Sequence, residues 1–272
     1  MVGKLRIPVL DDERYPELSM AIQNYRMNYV RNIEAARDEL AAAAEQDYAE
    51  FGAESWMGYY TIDESMTVKR VDATAVSILE QGYLYQGGAH GSDGFGCFNV
   101  DTQTGDIIAL NDVVTDMNAL SGIIATEMLE LYPDITYFTP TLEVTIDMYI
   151  NPELTLTLDY NGVTFYFGSY EIGTYADGRQ QVTVLFSEYP SLFNSYYFNN
   201  VTDNYVIPAS AWGTLDVDLD AYRSEEIVLT SMKEITQMHG NALYYTGCST
   251  QRDNLYSIFI PTSKSLWGFL FL

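Results

Sequence analysis

The sequence predicts an α+β fold, with a long N-terminal helix and a second helix packed on an antiparallel sheet, followed by a small all-β C-terminal unit. Three observations predict it. Apolar side chains at Leu18, Ile22, Tyr25, Tyr29, Ile33, Ala36 and Leu40 recur every three or four residues, the stripe of an amphipathic helix. Leu154, Leu156 and Leu158 alternate with threonines, and Val163, Phe165 and Phe167 alternate beyond Asn161-Gly162, as in two strands joined by a tight turn of left-handed residues. Between these segments, short apolar runs separated by turn residues read as an antiparallel meander with helices on one face.

The elements follow in order. Pro16 suits a helix start, and Ala41 to Ala44 carry the helix on to Phe51-Gly52, about 45 Å for roughly 30 residues. Something extended must lie along that stripe. Strands are predicted at 57–62, 66–71, 75–79 and 95–100, a turn at 101–105 and a further strand at 107–110. A second helix spans 117–131, where Leu120, Ile123, Ile124, Met128 and Leu131 share a face. A strand at 180–186 and a short helical turn at 188–193 complete a domain of residues 1–198. The polar stretch 199–204 reads as a linker. Short apolar runs at 226–229, 241–245, 255–260 and 266–272 then form a small β unit, residues 199–272. Its end on Trp267-Gly268-Phe269-Leu270-Phe271-Leu272 would leave an exposed apolar edge, so the natural chain is expected to continue.

The 272 residues include 23 Tyr, and 47% are hydrophobic, ample for a core and too many for disorder. Against 13 Lys plus Arg stand 38 Asp plus Glu, a net charge of −25. Residues 61–200 carry 3 basic and 19 acidic residues, so the middle holds most of the field. Such a field repels nucleic acid and anionic lipid and draws in cationic partners. No stretch approaches the roughly 20 apolar residues that span a bilayer, and the start Met1-Val2-Gly3-Lys4 is no secretion signal, which is absent or trimmed off. Cys97 and Cys248 permit one long-range disulfide, although two buried thiols are the weightier reading.

Chemistry is sparse. The histidines are His90 and His239, and no zinc-protease helix, nucleophile elbow or phosphate-binding glycine loop occurs. Among so many acids, close carboxylate pairs arise by chance, which leaves a glycosidase-like pair as a minor alternative. Asp216, Asp218 and Asp220 space like calcium ligands, but Ala221 and Ile227 stand where an EF-hand-like loop needs Gly and Glu, so strand-edge acids are expected and no metal. The densest unusual segment is Tyr83-Leu84-Tyr85-Gln86-Gly87-Gly88-Ala89-His90-Gly91, with Asp93, Gly94 and Gly96 following. Five glycines within 87–96 require positive φ or very close chain approach, and His90 is expected to be hydrogen-bonded inside that turn. A second segment, from Tyr170 and Glu171 to Tyr175 and Asp177, mixes tyrosines with acids as a binding rim would.

Three motifs in order carry a resemblance: Tyr85 to Gly91; Asn99-Val100-Asp101 with Thr104-Gly105 and Leu110, Asp112 and Val113; and Phe165 to Gly178. Over residues 4–195 the chain resembles the extracellular domain family of RsiV-type anti-sigma factors, also found as the non-catalytic module ahead of PdaC-type peptidoglycan deacetylases. Thr174 stands where that family carries Pro. The resemblance implies a non-catalytic, cofactor-free domain outside a Gram-positive-type cell, anchored by a membrane helix or lipid that this chain lacks. Its implied partner is a cationic protein, lysozyme first, or a cell-wall glycan. The candidate binding residues are Tyr85, His90, Asp93, Tyr170, Glu171, Tyr175 and Asp177. The alternative is a peptidoglycan-acting hydrolase with an unrecognised carboxylate pair.

Overall fold

The structure is a computed structural model that describes residues 4–10, 13–55, 60–134, 137, 141–150, 154–199, 212–218 and 236–237. Its elements run β1 (Lys4–Leu10), α1 (Pro16–Ser55), β2 (Thr61–Val71), β3 (Ala75–Tyr85), β4 (Ser92–Asp101), α2 (Leu110–Val113), α3 (Met117–Leu131), α4 (Leu142–Tyr149), β5 (Leu156–Leu158), β6 (Gly162–Phe167), β7 (Gln180–Leu185), α5 (Tyr196–Asn199), β8 (Trp212–Asp218) and β9 (Thr236–Gln237). The fold is α+β, with three-stranded sheets ordered β1-β8-β9, β2-β3-β4 and β5-β6-β7. By its contacts the chain forms two units, the first from residues 1–67, 80–93 and 208–260, the second from 68–79, 94–207 and 261–272.

In the first unit, α1 starts at Pro16, where the missing N–H costs no hydrogen bond, and breaks at Gly52 with φ 71°. The stripe is buried as expected: Leu18, Ile22, Tyr25, Tyr29, Ile33 and Leu40 are all core residues. It packs against β1, and its Tyr25 reaches Met66 of β2 and Glu80 of β3. β1 pairs antiparallel with β8 in a register that sets Lys4 opposite Asp218 and Arg6 opposite Asp216. Two of the three acids with calcium-like spacing are thus strand residues. This strand of the expected C-terminal unit groups by its contacts with the N-terminal segments, while residues 200–211, where the linker was expected, and the tail runs beyond 237 lie outside the described residues.

The second unit buries Leu120, Ile124 and Met128 of α3, Leu142 and Ile146 of α4, and Val163, Phe165 and Phe167 of β6 in one core. α3 coincides with the predicted second helix, and Asp116 caps it by accepting from Ala119 N–H at 3.2 Å. The hairpin is confirmed by pairing of Leu158 with Val163 and Leu156 with Phe165. The left-handed turn is not. Neither Asn161 nor Gly162 has positive φ. Gly162 instead passes so close to Val184 of β7 that a Cβ would overlap its carbonyl oxygen. Three further local predictions are corrected. Residues 61–71 form one strand across Asp63-Glu64-Ser65, because Glu64 turns inward and is buried. Ile107 makes an isolated bridge to Val100, and Leu110 opens a helical turn instead of closing a strand. Residues 188–193 are hydrogen-bonded turns, with Glu188 and Tyr189 N–H both donating to Leu185.

Candidate binding surface

The second unit carries a tyrosine-rich loop between β6 and β7. Ile172 is fully buried and anchors it. Tyr170 has φ 70°, the one non-glycine residue described with positive φ, and is 45% exposed with its ring 5.5 Å from that of Tyr175. Strain of this kind persists only where the surroundings impose it. Two carboxylates hold the loop on either side of it. Glu171 accepts from Gly168 N–H at 2.7 Å, closing the turn that contains Tyr170. Asp177 accepts from Thr174 N–H at 2.8 Å and from its hydroxyl at 2.6 Å, capping the single 3-10 turn Tyr175–Asp177. Thr174 has φ −73°, within the range of a proline, but its N–H and hydroxyl both serve Asp177, and a proline here would remove both hydrogen bonds.

Three more tyrosines border this loop, and sequence reading missed them. Tyr137 bridges Gly173, and its hydroxyl donates to the Tyr132 carbonyl at 3.3 Å. Tyr132 in turn donates to the Gln181 carbonyl at 3.0 Å. Burial, then the charge of Asp177, raises the Tyr137 phenol pKa. Burial, then Glu171, raises that of Tyr149 at the end of α4. Together these rings present apolar faces and phenol hydroxyls beside two carboxylates.

The glycine-rich segment lies in the first unit. Gly87 and Gly88 both take positive φ, and a Cβ at Gly91 would overlap the Leu84 carbonyl and the Tyr83 ring. Tyr85 is buried and donates to the Gly88 carbonyl at 3.0 Å, and the Tyr83 hydroxyl accepts from Gly91 N–H at 3.0 Å. His90 is exposed with Nδ1 3.0 Å from the Gly91 carbonyl oxygen, which as an acceptor places a proton on Nδ1. Asp93 is half-buried on β4. Tyr85 and His90 therefore share one turn, while Tyr170, Glu171, Tyr175 and Asp177 share one loop of the other unit.

Charge in the second unit is one-sided. The basic residues of 61–200 are Lys69, Arg70 and Arg179. Lys69 lies 3.8 Å from Asp159, Arg70 is fully buried 2.7 Å from Asp72, and Arg179 sits 5.4 Å over the Phe95 ring. Asp106, Asp112, Asp116, Glu130, Asp134, Glu143, Asp147 and Glu188 are exposed. In the first unit, Glu80 is fully buried, and desolvation outweighs the Tyr25 hydrogen bond to push its carboxyl up to about 7. Among the described residues, no group of three or more His, Cys, Asp or Glu is placed to hold a metal ion, and no helix is long and apolar enough to cross a membrane. Cys97 is half-buried on β4, and Cys248 lies outside the described residues.

An α+β domain bearing a loop-borne aromatic and acidic surface is the class of protein these features define. More particularly, residues 106–187, from the Ile107 bridge to the end of β7 and including the whole tyrosine loop, match a family described as a protein of unknown function, DUF3298. The chain thus carries a DUF3298 domain over that span. Among solved structures it is similar to a DUF3298 family member from Bacteroides fragilis, at 19% identity and a TM-score of 0.52, with 72% of this chain and 93% of that chain covered. A DUF3298 family protein from Pseudomonas aeruginosa gives 18% identity, a TM-score of 0.44 and coverage of 73% and 96%. No curated protein matches the chain. At 19% identity the likeness to the Bacteroides fragilis structure is one of fold.

Proposed function

We propose that this chain is a non-catalytic binding or sensing module of the cell envelope that receives a strongly cationic protein, lysozyme being the first candidate, or a cell-wall glycan, on the tyrosine loop of its DUF3298 domain. The observation that carries the reading is the pairing of an exposed, strained Tyr170, its ring beside the half-buried Tyr175, with a segment, residues 61–200, whose three basic side chains are all engaged within the fold. Uncompensated acids accelerate encounter with a basic protein, and aromatic contacts slow its departure. The ordered motifs shared with RsiV-type extracellular domains support the same partner and an extracellular, anchored setting.

The test is calorimetric titration of the full chain with lysozyme and with an unrelated basic protein of similar charge, at low salt and at salt high enough to screen charges beyond about 3 Å. Lysozyme is expected to bind at both, and replacement of both Tyr170 and Tyr175 by serine to weaken it at least tenfold. Equal, salt-abolished binding of both proteins would reduce the interaction to non-specific attraction and overturn the reading. Release of soluble fragments from purified peptidoglycan by the chain would overturn its non-catalytic part.

A further inference from the structure

Among the described residues, α4 is an amphipathic helix that packs by one face. Leu142, Thr145 and Ile146 are buried, and Tyr149 packs against the core. The remaining positions are Glu143, Val144, Asp147 and Met148, all exposed. Val144 is 52% exposed and Met148 69%, the most exposed large apolar side chain among the described residues. Spaced by four, these two stack on one face of the helix. Glu143 and Asp147 share that spacing, and like charges so placed disfavour a helix unless a cation offsets them. The three basic side chains of the segment are committed elsewhere.

We propose that the outward face of α4 is a docking strip for a cationic amphipathic helix of a partner protein, whose apolar side chains seat on Val144 and Met148 while its Lys or Arg residues meet Glu143 and Asp147. Charge selects this occupant. A second copy of a chain with net charge −25 would be repelled, as would an anionic membrane. Side chains spaced by four form a ridge along a helix that fits the groove between ridges of a second helix, and Val144 and Met148 form such a ridge. The helix that carries the strip also borders the tyrosine loop, but through its core-facing Tyr149, whose phenol feels the charge of Glu171. The inference deepens the proposed function by naming the element of the partner that binds, and it rests on that reading only for the partner's positive charge.

The experiment uses the full chain and two synthetic helical peptides of equal positive charge, one of Lys and Leu with leucines spaced by four, the other with serine replacing leucine. At high salt the Lys/Leu peptide is expected to bind about tenfold or more tightly than the Lys/Ser peptide, the factor given by burying one side chain the size of Met. The paired replacement Val144→Ser and Met148→Ser should remove that advantage, and an unchanged near-ultraviolet circular dichroism spectrum establishes that the fold is intact. Equal binding of the two peptides, or no effect of the paired replacement, overturns the proposal. A dimer of the chain alone in sedimentation, abolished by the same replacements, would assign the strip to a second copy and also overturn it. Lysozyme binding that ignores these replacements would sink the strip and leave the proposed function standing. Peptide binding without lysozyme binding would do the reverse.

Discussion

The two units bury charge in opposite ways. In the second unit, Arg70 is fully buried, and although its Nη2 has no hydrogen-bond partner among the described residues, its Nε donates to the Asp72 carboxylate at 2.7 Å and its Nη1 to the Tyr197 carbonyl at 2.7 Å. Asp72 also accepts from Thr74 and Ala75 N–H at 2.8 and 2.9 Å, fixing the turn between β2 and β3. In the first unit, Glu80 is equally buried, yet one oxygen receives the Tyr25 hydroxyl and the other has no hydrogen-bond partner among the described residues. A paired carboxylate keeps its charge in the interior, whereas one with no cation beside it holds its proton instead. In a chain with 38 acids, the surroundings of each carboxylate decide its role.

Breaking the paired side should have the largest effect. Asp72→Ala strands the Arg70 guanidinium without its carboxylate and removes both turn hydrogen bonds, an expected loss of about 3–5 kcal/mol in urea unfolding. A loss below about 1 kcal/mol would mean that water reaches Arg70.

Relieving the unpaired side comes next. The Glu80 pKa is raised from 4.5 to about 7, so the folded state keeps a proton that the unfolded chain releases. Its stabilising effect is complete below pH 4.5 and is lost as pH rises through about 7, a swing on the order of 3 kcal/mol. Glu80→Gln should flatten that part of the profile, seen as the difference between parent and variant unfolding curves from pH 4 to 8. Parallel profiles would show Glu80 to be ionised in the fold.

Tyr25→Phe sharpens the comparison with the smallest change. Losing a hydrogen bond that favours the charged carboxylate should move the midpoint of the pH-dependent loss upward, with a stability cost near pH 5 of about 0.5–1.5 kcal/mol. A downward movement would show that the hydroxyl favours the protonated acid.

The helices at 16–55 and 117–131, the β5-β6 hairpin and the hydrogen-bonded glycine turn around His90 were legible in the sequence, as were the tyrosines of the 170–177 loop. Each writes its burial into local spacing, because a side chain's face follows from its position along a helix or strand. α4 left a fainter trace. Its eight residues carry one short buried stripe, and the signal that could have found it is Thr141, whose hydroxyl caps Val144 N–H at 3.4 Å. The break predicted between 62 and 66 does not occur, since Glu64 is buried within one strand, and burial of a charge has no local signature.

What the sequence by itself determined was the amphipathic stripe of α1, the alternation of β5 and β6, and the surplus of acid. The tertiary structure alone decided that β1 pairs with a strand some 200 residues later, that Tyr137 and Tyr149 border the 170–177 loop, and that Asp72 meets a cation while Glu80 does not. The physical reason is range. Periodicity records which face of an element is dry, whereas pairing, desolvation and pKa depend on groups brought together from distant parts of the chain.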